Sequence, residues 1–252
     1  MNDRTVGLIL KEQDYRESSV ILTILTKEYG KISLVAQSAR KMTSKNRGAI
    51  LPYTKGEFFF DYKETRTMFR LKTAHTLEFY RFLHEDLNAS LAIPVIAEVM
   101  DAFLLDQADP ELSDHFYELF EQACIALNEG HRADLVLAVT LADLLEVQGI
   151  NPDVDECVLC GNTNVASISA RDGGFLCAEC ALRHGVAFKE PSALRAFRLI
   201  NKANLSHLSI LEEHMDSAME ECSLLVEFLR QHGGLTVKSF PLFRQMFLVE
   251  DR

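Results

Sequence analysis

Four cysteines, arranged as two pairs, are the residues of this chain best suited to chemistry. Cys157 and Cys160 form one Cys-x-x-Cys pair, and Cys177 and Cys180 form a second, with sixteen residues between the pairs. Two such knuckles place four thiolates tetrahedrally around a single Zn²⁺ ion. Because four thiolates fill the coordination shell and leave no position for water, we expect one structural zinc ion per chain. Two redox-active dithiols are the alternative that this spacing leaves open.

A set of cations in the first third of the chain forms a second candidate site. The segment from Ser38 to Gly48, which we call the basic segment, carries four cations and no acid. A segment of this composition can bind along the phosphates of a nucleic acid. A solvated surface loop would have the same composition. In the predicted strand that contains Phe69 and Leu71, further cations alternate with these two residues and so lie on the opposite face. In the strand before it, Phe59 could present its ring outwards for a base to stack on. The cations of both segments are Arg40, Lys41, Lys45, Arg47, Arg66, Arg70 and Lys72.

A third cationic set follows a helical spacing near the end of the chain. Arg195, Arg198 and Lys202 recur at i, i+3 and i+7, so they share one face of a helix, with Leu194 and Phe197 beside them. A basic stripe bordered by apolar residues suits an acidic peptide that ends in a hydrophobic residue and a carboxylate. Solvation and local ion pairs with nearby acids are the alternative.

The charge of the chain is divided unevenly between its two ends. The 252 residues carry 26 Lys and Arg against 37 Asp and Glu, yet residues 1–80 have 14 against 9 and residues 81–252 have 12 against 28. A basic N-terminal part followed by an acidic C-terminal part suggests two modules with different partners. No apolar run reaches the length of about 20 residues that spans a membrane, and charges interrupt what would be a signal peptide, so we expect a cytoplasmic protein without membrane contact.

Enzyme motifs are missing from the sequence. It contains no GxxxxGK[ST] or GxGxxG loop, no HExxH pair and no nucleophile elbow. We therefore expect no catalytic residue and no small-molecule substrate.

The elements that position these residues change character along the chain. Up to about residue 80, short runs of β-branched and aromatic residues alternate with period two, and Gly30 supplies the positive φ that a tight hairpin needs. Five such strands, with a long polar connection between the third and the fourth, predict a small closed barrel of the OB type. An SH3-like barrel is the competing fold. From about Thr76 the apolar period becomes 3.6, as in helices.

The predicted fold class is α+β multidomain, with an N-terminal OB-fold β-barrel, an α-helical bundle and an inserted four-cysteine zinc ribbon. The predicted boundaries are residues 1–80 for the barrel, 81–152 for the first part of the helical domain, 153–190 for the zinc insert and 191–252 for the second helical part. We expect the helices on both sides of the insert to pack as one bundle.

The sequence also resembles a known family. The segments GLILKEQDYRESSVILTILTKEYGKISLVAQSARK and SKNRGAILPYTKGEFFFDYK, followed by the two cysteine knuckles, are similar to the RecO family of bacterial recombination mediators, and the likeness continues to about residue 245. The resemblance implies binding of single- and double-stranded DNA, annealing of complementary strands, and cooperation with RecR, RecF and the single-strand-binding protein SSB in loading RecA. It implies no catalytic turnover.

The resemblance also assigns roles to residues. It implies DNA contacts from Arg40, Lys41, Lys45 and Arg47 in the basic segment and from Lys31, Arg66, Arg70 and Lys72 on the barrel. The SSB tail is an acidic peptide of the kind that would suit the stripe of Arg195, Arg198 and Lys202. Two other functions stay open: a zinc-ribbon scaffold that binds proteins without DNA, and a dithiol redox enzyme.

Overall fold

The chain forms two compact units. A computed structural model describes residues 3–40, 46–63, 66, 68–104 and 110–250, without the side chains of residues 248–250. Unit 1 contains Met1–Asp86 and Ala97–Asn128, and unit 2 contains Leu87–Ile96 and Glu129–Arg252. Within the described ranges, no helix is long and apolar enough to cross a membrane.

Unit 1 is built around a five-stranded closed barrel, as predicted. The strands are β1 (Asp3–Tyr15), β2 (Ser19–Thr26), β3 (Gly30–Ala36), β4 (Lys55–Phe60) and β5 (Met68–Glu78). They close in the order β1-β2-β3-β5-β4, with β3 and β5 parallel and the other neighbouring pairs antiparallel. This arrangement confirms the OB-like fold.

Period-two alternation decides which side chains fill the barrel. Phe58 and Phe60 of β4 are fully buried, and Phe69 and Leu71 of β5 join them in the same core. The residues between them face outwards, because successive side chains of a strand point to opposite sides of the sheet. Gly30 has a φ of +61°, so it provides the positive φ predicted for the β2–β3 turn.

Helix α3 (Pro110–Asn128) belongs to the same unit as the barrel, together with α1 (Arg81–Glu85) and the second half of α2 (Leu87–Phe103). Two ion pairs connect α3 to the barrel: Lys55 of β4 to Glu121 at 2.5 Å, and Lys27 of the β2–β3 turn to Glu118 at 2.8 Å. Because α3 lies in unit 1, only some of the helices before the cysteine-rich insert share a unit with those after it. The predicted domain boundaries remain a prediction.

Unit 2 surrounds helix α4 (Ala133–Val147), whose Leu135, Leu141 and Leu144 are completely buried. Around α4 lie α6 (Pro191–Lys202), α7 (Leu208–His214) and α8 (Met219–His232), and α9 (Phe240–Glu250) ends the unit. Between α4 and α6 the chain forms a hairpin of β6 (Val165–Ser169) and β7 (Gly174–Cys177), followed by α5 (Ala178–His184). We call residues 153–190, which contain this hairpin and α5, the ribbon module.

Candidate metal centre and nucleic-acid interface

The four cysteines of the two knuckles converge in the ribbon module. One sulfur each from Cys157, Cys160, Cys177 and Cys180 lies within 4.8 Å of all the others, and none of the four is in a disulfide. The Cys160 and Cys177 sulfurs are 3.6 Å apart. In a tetrahedral site with Zn–S bonds of about 2.3 Å, neighbouring sulfurs are about 3.8 Å apart. The cluster therefore has the size and donor set for one tetrahedral, thiophilic metal ion.

Local backbone geometry forms each knuckle. In the first, the Cys157 carbonyl accepts hydrogen bonds from the Cys160 and Gly161 amides at 3.2 and 2.8 Å, and Gly161 reaches a φ of +71° that favours glycine. In the second, Cys177 ends β7 and Cys180 lies in the first turn of α5. The turn at residues 157–161 and the junction of β7 with α5 thus bring the two pairs together.

The electrostatics of the thiols favour a bound cation. Burial opposes ionisation of Cys157, but hydrogen bonds from the backbone at Cys177 and Leu159 outweigh it and lower the pKa of the thiol to about 6. Burial and the neighbouring thiols instead raise the pKa of Cys180 to about 12. Ionisation of the Cys157 thiol is therefore favoured. Ionisation of the Cys180 thiol is disfavoured unless a metal ion offsets the accumulating negative charge.

The basic segment is attached to the barrel at both described ends. At its start, the Arg40 amide donates to the Ser18 carbonyl at 3.1 Å, and the Arg40 guanidinium pairs with Asp14 at 3.1 Å. Lys41 and Lys45 lie outside the described residues. At its end, the Asn46 side chain bonds the backbone of β5, donating to the Lys72 carbonyl at 3.3 Å and accepting from the Ala74 amide at 3.2 Å. The exposed Arg47 is consequently held beside β5.

Strand β5 adds its own cations next to this segment. Arg70 and Lys72 face outwards, and Arg70 pairs in register with Val35, near the point where β3 leads into the basic segment. Lys72 forms an ion pair with Asp61, and Arg66 is exposed just before the strand. The set of Arg40, Arg47, Arg66, Arg70 and Lys72 is called the basic face below.

Comparison with known proteins decides the family. The family model for the N-terminal part of recombination protein O matches residues 1–80, and the model for its C-terminal part matches residues 84–241. The chain belongs to the RecO family. Two relatives named DNA repair protein RecO, from Bacillus pumilus and Bacillus subtilis, are 29% and 27% identical to it. They align over 96% and 95% of this chain and over 94% and 93% of their own lengths.

Lys31, which the RecO resemblance assigns to DNA, is engaged in a contact inside unit 1. Only 12% of its side chain is exposed, and its ammonium donates to the Asp101 carbonyl at 2.8 Å and pairs with the Asp101 carboxylate at 3.2 Å. Lys11 also bonds that carboxylate, at 2.5 Å. Although burial opposes the charge of Asp101, the two lysines lower its pKa. Lys31 therefore fastens β3 to α2, and we leave it out of the basic face.

The stripe on α6 also differs from the expectation for a peptide site. Arg198 and Lys202 both pair with Asp155 of the ribbon module, at 2.6 and 3.0 Å, and Arg198 also donates to a backbone carbonyl. Leu194 and Phe197 are buried, so they offer no apolar border to an acidic peptide. Two of the three predicted cations thus hold the ribbon module on α6, and Arg195 is exposed.

Two aromatic rings on the barrel were hard to place from the sequence. Phe59 is half-buried, with its ring edge-to-face against His75 at 6.0 Å. Tyr62, which alternation assigns to the core, follows the end of β4, is 38% exposed and stacks on Phe69 at 5.0 Å. The alternation rule fails at Tyr62 because the strand ends at Phe60.

Proposed function

We propose that this RecO-family chain is a DNA-binding recombination mediator in DNA repair. In this proposal it binds single- and double-stranded DNA with the basic face, anneals complementary strands, and helps RecR and RecF load RecA onto SSB-coated DNA. The observation that carries the proposal is the attachment of the basic segment at Asn46 to β5, the strand that presents Arg70 and Lys72 on its outer face. Membership of a family of DNA repair proteins supports it.

The chemistry of annealing fits this charge distribution. Two DNA strands repel each other, and cations that neutralise their phosphates allow them to approach. The excess of acids in residues 81–252 repels DNA from the rest of the chain, so binding is confined to the barrel. Neither annealing nor displacement of SSB requires a covalent step, so we propose a role without catalytic turnover. The site of action is the bacterial cytoplasm.

We propose Zn²⁺ as the ion of the cysteine cluster. Cys157, Cys160, Cys177 and Cys180 would hold it, and four thiolates would make it a structural ion that fixes the ribbon module. In this scheme the barrel (residues 1–80) binds DNA and the helical parts (81–152 and 191–252) present surfaces to RecR and SSB.

The salt dependence of DNA binding tests the proposal. Fluorescence anisotropy of a labelled single-stranded oligonucleotide, measured at several salt concentrations, gives the slope of log K against log salt. Each lost phosphate contact lowers the magnitude of that slope by about 0.7 on a single strand, so Arg47→Gln with Arg70→Gln should lower it by up to about 1.4. The control, Arg195→Gln with Arg230→Gln, removes the same charge from exposed positions of unit 2 and should leave the slope unchanged.

Two results would contradict the proposal. Equal slopes for the basic-face variant and the control would remove the basic face from the interface. An absence of binding at low salt, in protein that retains its metal ion, would favour a scaffold that binds only proteins.

A further inference from the structure

An acidic pocket lies in unit 2, and none of the four cluster cysteines lines it. It has a volume of about 370 Å³ and opens between the start of α6 and the segment that joins α7 to α8. Ser192, Ala193 and Ala196 form one wall, residues 214–217 a second, and Glu220 and Glu221 of α8 the third. Three of the lining residues carry carboxylates, and none carries a lysine or arginine side chain.

Glu221 is buried in this pocket and forms no direct ion pair with a described residue. The residue is 4% exposed, and within the described part of unit 2 its carboxylate bonds only its own backbone amide. The cations around the pocket are already engaged: Lys189 pairs with Glu220, and Arg132 pairs with Asp134 at 2.8 Å. A buried carboxylate without a counter-charge destabilises the fold that contains it.

Glu221 also differs from an ordinary residue of a helix N-terminus. A glutamate in the first turn of a helix commonly accepts a free backbone amide while its carboxylate stays hydrated, which favours the charged form. Here burial raises the pKa of Glu221 to about 7, and the charges of Glu220 and Asp134 add to the effect. The contact with its own amide and the charge of Lys189 offset it only in part. Helix capping alone therefore leaves the burial of this carboxylate unexplained.

The pocket wall is held in place before any ligand arrives. Asp134, which is completely buried, accepts the Ala218 amide at 2.6 Å and the Ser217 hydroxyl at 3.3 Å. The Arg132 guanidinium bonds the Met215 carbonyl, and Glu212 accepts the Arg132 amide at 2.8 Å. These bonds fix residues 214–218 against α4, so a ligand would not have to order them.

We propose that this pocket receives an arginine or lysine side chain from a basic segment of a partner protein. Glu221 is a desolvated acceptor that a guanidinium or ammonium group can pair with, and the exposed Asp216 adds negative charge to the lining, while Glu220 is paired with Lys189. Arginine fits better than lysine because its guanidinium presents several donors in one plane and is more weakly hydrated. The same carboxylates repel DNA, so this surface adds a protein contact to the proposed function and does not depend on DNA binding.

The test uses the metal-loaded full chain with ¹³C-labelled methionine methyl groups. Met215 lines the pocket, and Met68, on the outer face of β5 in unit 1, serves as an internal control. N-acetylarginine amide is titrated as the probe, with N-acetylcitrulline amide as its neutral isostere and MgCl₂ as a separate cation. We expect the arginine probe to shift the Met215 signal saturably, with a Kd on the order of 1 mM, and to leave Met68 unchanged.

Matched variants identify the carboxylate that matters. Glu221→Gln keeps the shape of the side chain and should weaken binding by about tenfold or more, because it removes the buried charge. Glu213→Gln removes the same charge from an exposed position outside the lining and should change the affinity by less than about twofold. Ala193→Leu, which enlarges a side chain of the pocket lining and leaves residue 221 unchanged, should also weaken binding.

Three results would overturn the proposal. Equal shifts from the arginine and citrulline probes would show that charge is not recognised. An unchanged affinity in Glu221→Gln would remove the buried carboxylate from the site. A Met215 shift produced by MgCl₂ but not by the arginine probe would make the pocket a metal site. DNA binding through the basic face would be unaffected by any of these results.

Discussion

Neutralising Glu221 should stabilise unit 2, and the gain should grow with pH. Burial raises the pKa of this carboxyl from 4.5 to about 7 in the folded chain. Between these two values the folded state holds the proton more tightly than the unfolded state does, so stability falls as the pH rises. The Glu221→Gln variant cannot ionise at this position, so it does not show this decrease in stability with pH. The charged groups that act on the carboxyl are Glu220 and Lys189, which pair with each other, and the buried Asp134 of α4. Asp216 and His214 line the same pocket.

The magnitude follows from the difference between the two pKa values. At about 1.36 kcal/mol per pH unit, the ionised Glu221 side chain lowers the free energy of unfolding by about 3 kcal/mol at pH values well above 7. By the same relation the loss is about 1 kcal/mol at pH 5.5, where the carboxyl is mostly protonated in the folded chain. The stability gained by Glu221→Gln should therefore be about 2 kcal/mol larger at pH 8.5 than at pH 5.5.

Urea unfolding of the metal-loaded chain between these pH values measures the effect. The Met215 methyl signal reports on unit 2, and each variant is compared with the unmodified chain at the same pH, so that the pH dependence of metal binding cancels. Glu213→Gln at an exposed position corrects for the change in net charge. A Glu221→Gln difference that stays flat across the range would refute the inference that burial outweighs the nearby cation at this carboxylate.

The remaining predictions concern the metal centre, the barrel and one glycine. Cys157→Ser should release the metal ion and increase hydrogen exchange in residues 153–190 while the barrel amides stay protected; retention of one metal per chain would count against the four-cysteine site. Asp101→Asn should lower the free energy of unfolding of unit 1 by about 1–3 kcal/mol in urea, because the Lys31 ammonium loses its charged partner. The control, Glu118→Gln, breaks an exposed ion pair and should lower it by less than about 1 kcal/mol. Gly174→Ala should disrupt the ribbon module and reduce its metal content, because the new Cβ would collide with the Asp153 carbonyl oxygen. Gly185→Ala introduces backbone strain at a φ of +65° but meets no atom within 4 Å, so this control separates strain from collision and should keep the metal.

Local sequence patterns determined the parts of this protein that depend on short-range geometry. The alternation in β4 and β5 predicts which side of the barrel Phe58 and Arg70 face, because side-chain direction in a strand depends only on position parity. The spacing of Cys157, Cys160, Cys177 and Cys180 similarly predicts a four-sulfur cluster, because knuckle geometry is local and only one long-range approach is needed to join the two pairs. Both features are visible in the printed sequence.

Only the tertiary structure decided which charges are free and which are used internally. Lys31 and Asp101 are 70 residues apart, and Arg198 and Asp155 are 43 apart, so no local pattern indicates that these pairs meet. From the sequence, Lys31 and Arg70 are equivalent cations on neighbouring strands, yet the fold pairs Lys31 with a half-buried carboxylate and leaves Arg70 exposed. Glu221 reads as an ordinary helix-surface acid, and the packing of α8 against α4 and α6 buries it. The free energy of a charge depends on its solvation and on its neighbours in space, and both are set by contacts between residues distant in sequence.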